Sequence, residues 1–153
     1  MKPLLLGMNN PLSDDPGFDL FPYPENSTGW RLWKMLPDGT PRQVYMGSFD
    51  RVNLLRSRTW SKSDADVAAQ ALIPSLQGRL VAVLGSDVRA ALGLVRTEPL
   101  SRQEVTILVG AHEVTFEWIA VPHPSGRNYW YTQPANKAAV RTLLADLLEA
   151  SRG

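Results

Sequence analysis

Four short apolar runs, each shut off by chain-breaking residues, constrain the fold of this chain more than any other feature. The first runs from Pro3 to Met8 and stops at Asn9-Asn10-Pro11; the second is Phe49 to Leu55; the third is Arg79 to Leu84. The fourth, Val114 to Val121, leads into Pro122-His123-Pro124. Runs of this length suit buried strands better than helices. A further run, Glu104 to Val109, faces the fourth across Gly110-Ala111-His112, a hairpin-like turn. Helical stretches fill the gaps. Thr28 caps one through Trp30, Leu32, Trp33 and Leu36, ended by Pro37-Asp38-Gly39, and Ser63 caps another through Val67, Ala68, Ala71 and Leu72, stopped near Pro74. Gly85-Ser86 opens a third over Asp87 to Leu92, and a last, from about Asn136 to Ser151, sets Val140, Leu143, Leu144, Leu147 and Leu148 on one face. Strands alternating with helices in this way predict an α/β fold with a mostly parallel sheet. The 153 residues suit one domain spanning 1–153.

Residues 10–27 form a long loop rich in Pro, Asp, Asn and Ser, with Phe18, Phe21 and Tyr23 among them. Long loops in compact domains are usually functional or disordered, and the aromatics argue against disorder. Sixteen basic residues against fifteen acidic leave a net charge of +1, so any attraction for an anionic partner must come from local patches. Arg56, Arg58 and Lys62, with Trp60 among them, form one basic run; it fits either a nucleic-acid path or a solvated face. With no cysteine and two histidines, the chain offers no thiolate zinc site, no iron–sulfur ligands and no His-rich centre. Leu4-Leu5-Leu6 is too short for the core of a signal peptide, so a cytoplasmic protein without a membrane partner is the expectation.

In open α/β sheets, ligands bind beyond the carboxyl ends of the strands. The residues there are Asn9-Asn10 after the first strand, Asn53 near the end of the second, Gly85-Ser86 after the third and His123 after the last. Carboxamides, a hydroxyl and an imidazole suit hydrogen-bonding to a neutral planar heterocycle, since an amide offers donor and acceptor together. They do not suit acyl transfer, which needs an activated nucleophile beside its base. A nucleotide triphosphatase would need a Gly-rich loop with Lys, and none is present.

Taken in order, these segments resemble the uracil-DNA glycosylase superfamily. Gly7-Met8-Asn9 with Pro11 resembles its first motif, and His123-Pro124-Ser125-Gly126-Arg127-Asn128 resembles the His-Pro-Ser loop that closes on DNA. Phe21-x-x-Pro24-x-Asn26 is similar to the mismatch-specific branch, whereas the last loop, with Ala135-Asn136-Lys137 after it, is closer to the single-strand-selective monofunctional branch. Val52-Asn53-Leu54 resembles the segment carrying a base-reading Asn, and Leu84-Gly85-Ser86 the Gly-Ser loop that touches phosphate. Two departures stand out. The first motif reads Asn-Asn-Pro, one residue longer than usual, and it lacks the aspartate of the most active branch.

The resemblance implies a three-layer α/β/α sandwich around a mostly parallel four-stranded sheet of order 2-1-3-4. It also implies hydrolysis of the N-glycosidic bond of a flipped uracil or related base in DNA, single- or double-stranded. Asn9 or Asn10 would hold the water, and His123 would donate to the carbonyl oxygen on which charge develops. Met8, Phe21 and Asn53 would bind the base, with Phe21 stacking on it. Ser86, Ser125, Gly126, Arg127 and Asn128 would contact DNA, Arg127 as the wedge. No metal or cofactor is expected, since such a hydrolysis needs only a positioned water, and a monomer is the expectation. Two other classes remain open at this stage: a base-binding module of the same fold that does not cleave, and a hydrolase of free pyrimidine nucleotides.

Overall fold

A strand buried on both faces needs apolar side chains at successive positions. Leu4, Leu5 and Leu6 are all buried, and so are Val81, Ala82, Val83 and Leu84. In the computed structural model, which describes all 153 residues, these runs become β1 (Leu4–Asn9) and β3 (Leu80–Leu84) at the centre of a sheet. β2 (Asp50–Leu55) pairs parallel with β1 on one side, and β5 (His112–Val121) pairs parallel with β3 on the other.

Successive side chains alternate between two cores. Leu5, Ala82, Leu84 and Ile119 pack beneath α1 (Thr28–Lys34), α2 (Arg42–Ser48) and α5 (Pro134–Ser151), meeting Leu32, Tyr45 and Leu144. Leu4, Leu6, Val81, Val83 and Trp118 pack on the opposite face, beneath α3 (Lys62–Leu72) and α4 (Ser86–Ala91), meeting Ala65, Ala69 and Val88. The fold is therefore α/β, with helices on both faces of the sheet. No helix is long and apolar enough to cross a membrane.

The four-stranded order 2-1-3-4 is not what forms. The sheet has five strands in the order β2-β1-β3-β5-β4 and is mixed, because β4 (Arg102–Val109) runs antiparallel to β5. β4 is the hairpin partner, and its sequence fits only an edge: Arg102, Gln103, Glu104, Thr106 and Leu108 are exposed. Charge on such a strand discourages pairing with a further chain. Thr106 and Thr115 face each other across the ladder with hydroxyls 2.8 Å apart, and Arg102 grips Glu117 through two bonds of 2.7 and 3.0 Å.

Helix boundaries also differ from the sequence reading. Ser27, not Thr28, caps α1, accepting the N–H of Trp30 at 3.2 Å. Ser61, not Ser63, caps α3. α5 begins two residues early, because Pro134 sits where a helix needs no N–H. α2 is not foreseen at all.

Candidate functional site

Because β1, β2, β3 and β5 are parallel, their carboxyl ends lie along one edge of the sheet, with Asn9 beside Leu55 and Leu84 beside Val121. Above the β1 end opens a cavity of about 610 Å³. Its wall includes all six residues to which the resemblance gives a part in catalysis or base binding: Met8, Asn9, Asn10, Phe21, Asn53 and His123. They come from β1 and the turn after it, the 10–27 loop, β2 and the loop after β5. The volume falls in the range of about 300–1,000 Å³ typical of small-molecule sites.

The 10–27 loop owes its place to α1. Gly29 sits where the backbone of Leu20 and Phe21 crosses the helix, and a Cβ there would collide with both carbonyl oxygens. On the other side, the buried Tyr45 hydroxyl donates to the Leu20 carbonyl at 2.8 Å. Burial pushes that phenol well above its ordinary pKa, so it remains a donor. Phe21, thus held in the cavity wall, meets Phe18 edge to face at 5.3 Å. Phe18 and Tyr23, both exposed, extend the apolar rim.

The two asparagines of the first motif have different work. Asn10 uses its whole amide within the loop: Nδ2 donates to the Phe18 carbonyl at 3.2 Å and Oδ1 accepts the Leu12 N–H at 2.9 Å. Asn9 donates Nδ2 to the Arg58 carbonyl at 2.8 Å, which fixes the amide orientation and leaves Oδ1 without a protein partner. An oriented acceptor in a cavity wall is what a positioned water requires.

Asn53 lies deeper, only 3% exposed. Its backbone N–H donates to Asp19 Oδ2 at 2.9 Å, and Nδ2 leans on Asp19 Oδ1 at 3.5 Å. Its Oδ1 is buried without a hydrogen-bond partner. That oxygen lies beside Gly7, where a Cβ would come within 2.5 Å of it, so glycine in the first motif leaves the Asn53 amide its room.

His123, from the loop after β5, also lines the cavity. Neither ring nitrogen has a protein hydrogen-bond partner, so the turn does not satisfy the imidazole. Desolvation holds its pKa below the ordinary value and outweighs the opposing pull of the nearby Asp87. The ring is neutral near pH 7. Its backbone carbonyl ties the loop together, accepting the Ser125 N–H at 2.9 Å and Asn128 Nδ2 at 3.0 Å. Tyr131, whose hydroxyl donates to the Pro122 carbonyl at 2.6 Å, braces the loop from behind.

The residues assigned to DNA contact lie outside this cavity. Arg127 and Gly126 are exposed at the loop tip, with Ser125 half-buried beside them. Asn128 has no free amide group: its Nδ2 holds His123 and its Oδ1 accepts the Trp130 N–H at 3.1 Å, so its part is to shape the loop. Ser86 is exposed at the first turn of α4, whose N-cap is Gly85, and lines a neighbouring cavity of about 400 Å³ with Arg89 and Arg96. The basic run is divided. Arg56, its side chain 43% exposed, pairs with the buried Asp19, Lys62 pairs with Asp66 at 3.3 Å, and Arg58 meets the site through its backbone.

Three contributors went unnoticed in the sequence. Asp19 is a buried carboxylate (4% exposed) behind Asn53. Glu25 is the one carboxylate in the cavity wall. Arg31 donates Nε to the Asn26 carbonyl at 3.2 Å and lies against Gly126, coupling α1 to the His123 loop. No cluster of three or more His, Asp or Glu side chains is gathered anywhere in the fold in a way that could hold a metal ion. No protein-family model matches the chain, and no curated protein matches it.

Proposed function

We propose that the protein is a monofunctional DNA glycosylase of the uracil-DNA glycosylase type, hydrolysing the N-glycosidic bond of a flipped uracil or related base. The observation that carries this reading is the meeting of Asn9, Phe21, Asn53 and His123 in one cavity, from four segments spread over the chain. A target bond inside a duplex is out of reach, so the nucleotide must leave the stack, at a cost of a few kcal/mol that is least at mismatches or in single strands. Phe21 offers the extruded ring a face, and Asn53 an amide at its edge. As the C1′–N1 bond breaks, its electron pair moves onto the base, and the neutral His123 ring donates an N–H toward the charged carbonyl oxygen. Water held at Asn9 Oδ1 attacks C1′ and releases its proton to solvent, since an amide cannot take it. The protein would act as a monomer on DNA without a cofactor.

The test is incubation with oligonucleotides carrying uracil in single strands, opposite guanine and opposite adenine, followed by alkali. Strand cleavage that is lost in His123→Ala supports the glycosylase. Tight binding without abasic product on every substrate points instead to a non-cleaving binding module. Cleavage of free deoxyuridine nucleotides with none in DNA points to a nucleotide hydrolase.

Three variants separate the roles further. Asn9→Ala is expected to slow excision by about 100-fold, the usual cost of a misplaced reactant. Asn10→Ala removes only two loop hydrogen bonds and is expected to cost about 1–2 kcal/mol of stability, with a much smaller rate effect. Thermal melts and single-turnover rates of the pair check this. Arg127→Ala is expected to slow excision from duplex DNA by about tenfold more than from single strands, because only a duplex needs a wedge to replace the flipped base. Equal losses on both substrates would remove the wedge role.

A further inference from the structure

The Asn53 amide is held by a charged pair lying outside the cavity wall. Arg56 donates Nη1 to Asp19 Oδ1 at 2.9 Å and Nη2 to Asp19 Oδ2, and the same Nη2 reaches the Asn53 carbonyl at 2.5 Å. Arg51 Nη1 donates to the Asp19 carbonyl at 2.8 Å. Both carboxylate oxygens of Asp19 are thereby acceptors, each already taking an Arg56 N–H. Facing them, the Asn53 amide has one tolerable orientation, with Nδ2 toward Asp19. The flipped amide would set oxygen against oxygen in a buried space. Oδ1 is consequently left beside Gly7, buried and unpaired. A buried acceptor without a donor is costly, and a ligand N–H relieves that cost.

We propose that Asp19, clamped by Arg56, is a specificity-determining positioning residue. By locking the Asn53 amide with its oxygen unpaired, it makes the cavity select a base presenting a ring N–H, such as the imide edge of uracil. A base presenting a ring lone pair at that position, such as cytosine, is rejected. This rests on the reading of the cavity as a base site and names what sets its selectivity. A merely structural Asp19–Arg56 pair would pin the loop to β2 and affect every ligand alike.

The experiment compares wild type, Asp19→Asn and Arg56→Gln on single-stranded oligonucleotides bearing one dU or one dC. An amide at position 19 can offer its own N–H to Asn53 Oδ1, which lets the Asn53 amide turn and present Nδ2 to the ligand. Asp19→Asn is therefore expected to lower the uracil-to-cytosine rate ratio by about tenfold or more. Arg56→Gln leaves the acceptor at position 19 in place, and is expected to lower thermal stability while keeping the ratio. An unchanged ratio in Asp19→Asn, or an equal change in Arg56→Gln, would overturn the proposal. If the wild type cleaves neither strand, wild type and Asp19→Asn (or Asp19→Ser, whose hydroxyl can also donate, if the first does not fold) are titrated with free uracil and free cytosine, followed by the ¹⁵N–¹H signals of the Asn53 side-chain amide. Shifts in the wild type with uracil at concentrations where cytosine gives none, with that preference lost in the position-19 variant, uphold the proposal even if no DNA is cleaved. Equal response of the wild type to both bases, response to neither, or a preference kept in the variant refutes it.

Discussion

Replacing His123 by alanine is expected to slow base excision by about 100- to 1,000-fold, the usual cost of removing one preorganised donor from a developing oxyanion. The melting temperature should hardly move, because the imidazole makes no hydrogen bond to the protein and the loop is tied by its backbone carbonyl. The pH dependence follows from the neutral ring. Burial holds the His123 pKa below the ordinary 6.5, so the neutral donor is fully populated above that value and is lost as pH falls through the folded pKa. Excision should therefore fall on the acid side with a midpoint below 6.5, and that limb should vanish in the alanine variant. Stability follows the same sign. Below 6.5 the unfolded chain binds the proton more readily, so the contribution present above 6.5 fades as pH drops toward the folded pKa. Single-turnover rates across pH, with a ring-proton NMR titration of His123, check both statements.

Gly29→Ala is expected to be the most damaging single-methyl change in the chain. The added carbon would meet the Leu20 and Phe21 carbonyl groups, both backbone, and neither can step aside as a flexible side chain would. Overpacking of this kind costs about 1–3 kcal/mol and sometimes more, which for a domain of this size lowers the melting temperature by about 2–4 °C per kcal/mol. The loop would relax by leaving α1, taking Phe21 out of the cavity and weakening the Tyr45–Leu20 bond. Activity should fall in the surviving folded fraction as well. Gly47→Ala in α2 is the matched control. Nothing lies within 4 Å of its would-be Cβ, so the change should stabilise the helix by about 0.5–1 kcal/mol. Thermal melts of the two variants should move in opposite directions.

The α/β class was legible because it depends on runs such as Leu4-Leu5-Leu6 and Val81 to Leu84, whose side chains fill both cores. The fifth strand was visible as a hairpin arm, but the sheet count came from the resemblance. Only the polar alternation of Arg102 to Val109 reveals an edge. α2 was invisible because its apolar residues Val44, Tyr45 and Met46 are consecutive, with no i, i+3, i+4 repeat, and Tyr45 alone is buried. The cavity wall was legible because its polar residues sit at strand ends, where parallel sheets bind ligands. Asp19 was not. In the sequence it is one acid among several in a polar loop, and its partner Arg56 lies 37 residues on, in a run that reads as a basic patch. Only the fold turns these two charges toward each other behind Asn53.

The most direct measurement is a crystal structure of the protein with an oligonucleotide carrying 2′-fluoro-2′-deoxyuridine, whose fluorine disfavours the cationic sugar and slows cleavage. The base should lie in the 610 Å³ cavity, its face on Phe21, its N–H on Asn53 Oδ1 and a carbonyl oxygen toward His123, with Arg127 at the gap in the DNA. A base still stacked in the DNA, or DNA bound across another face with the cavity unfilled, would contradict the account.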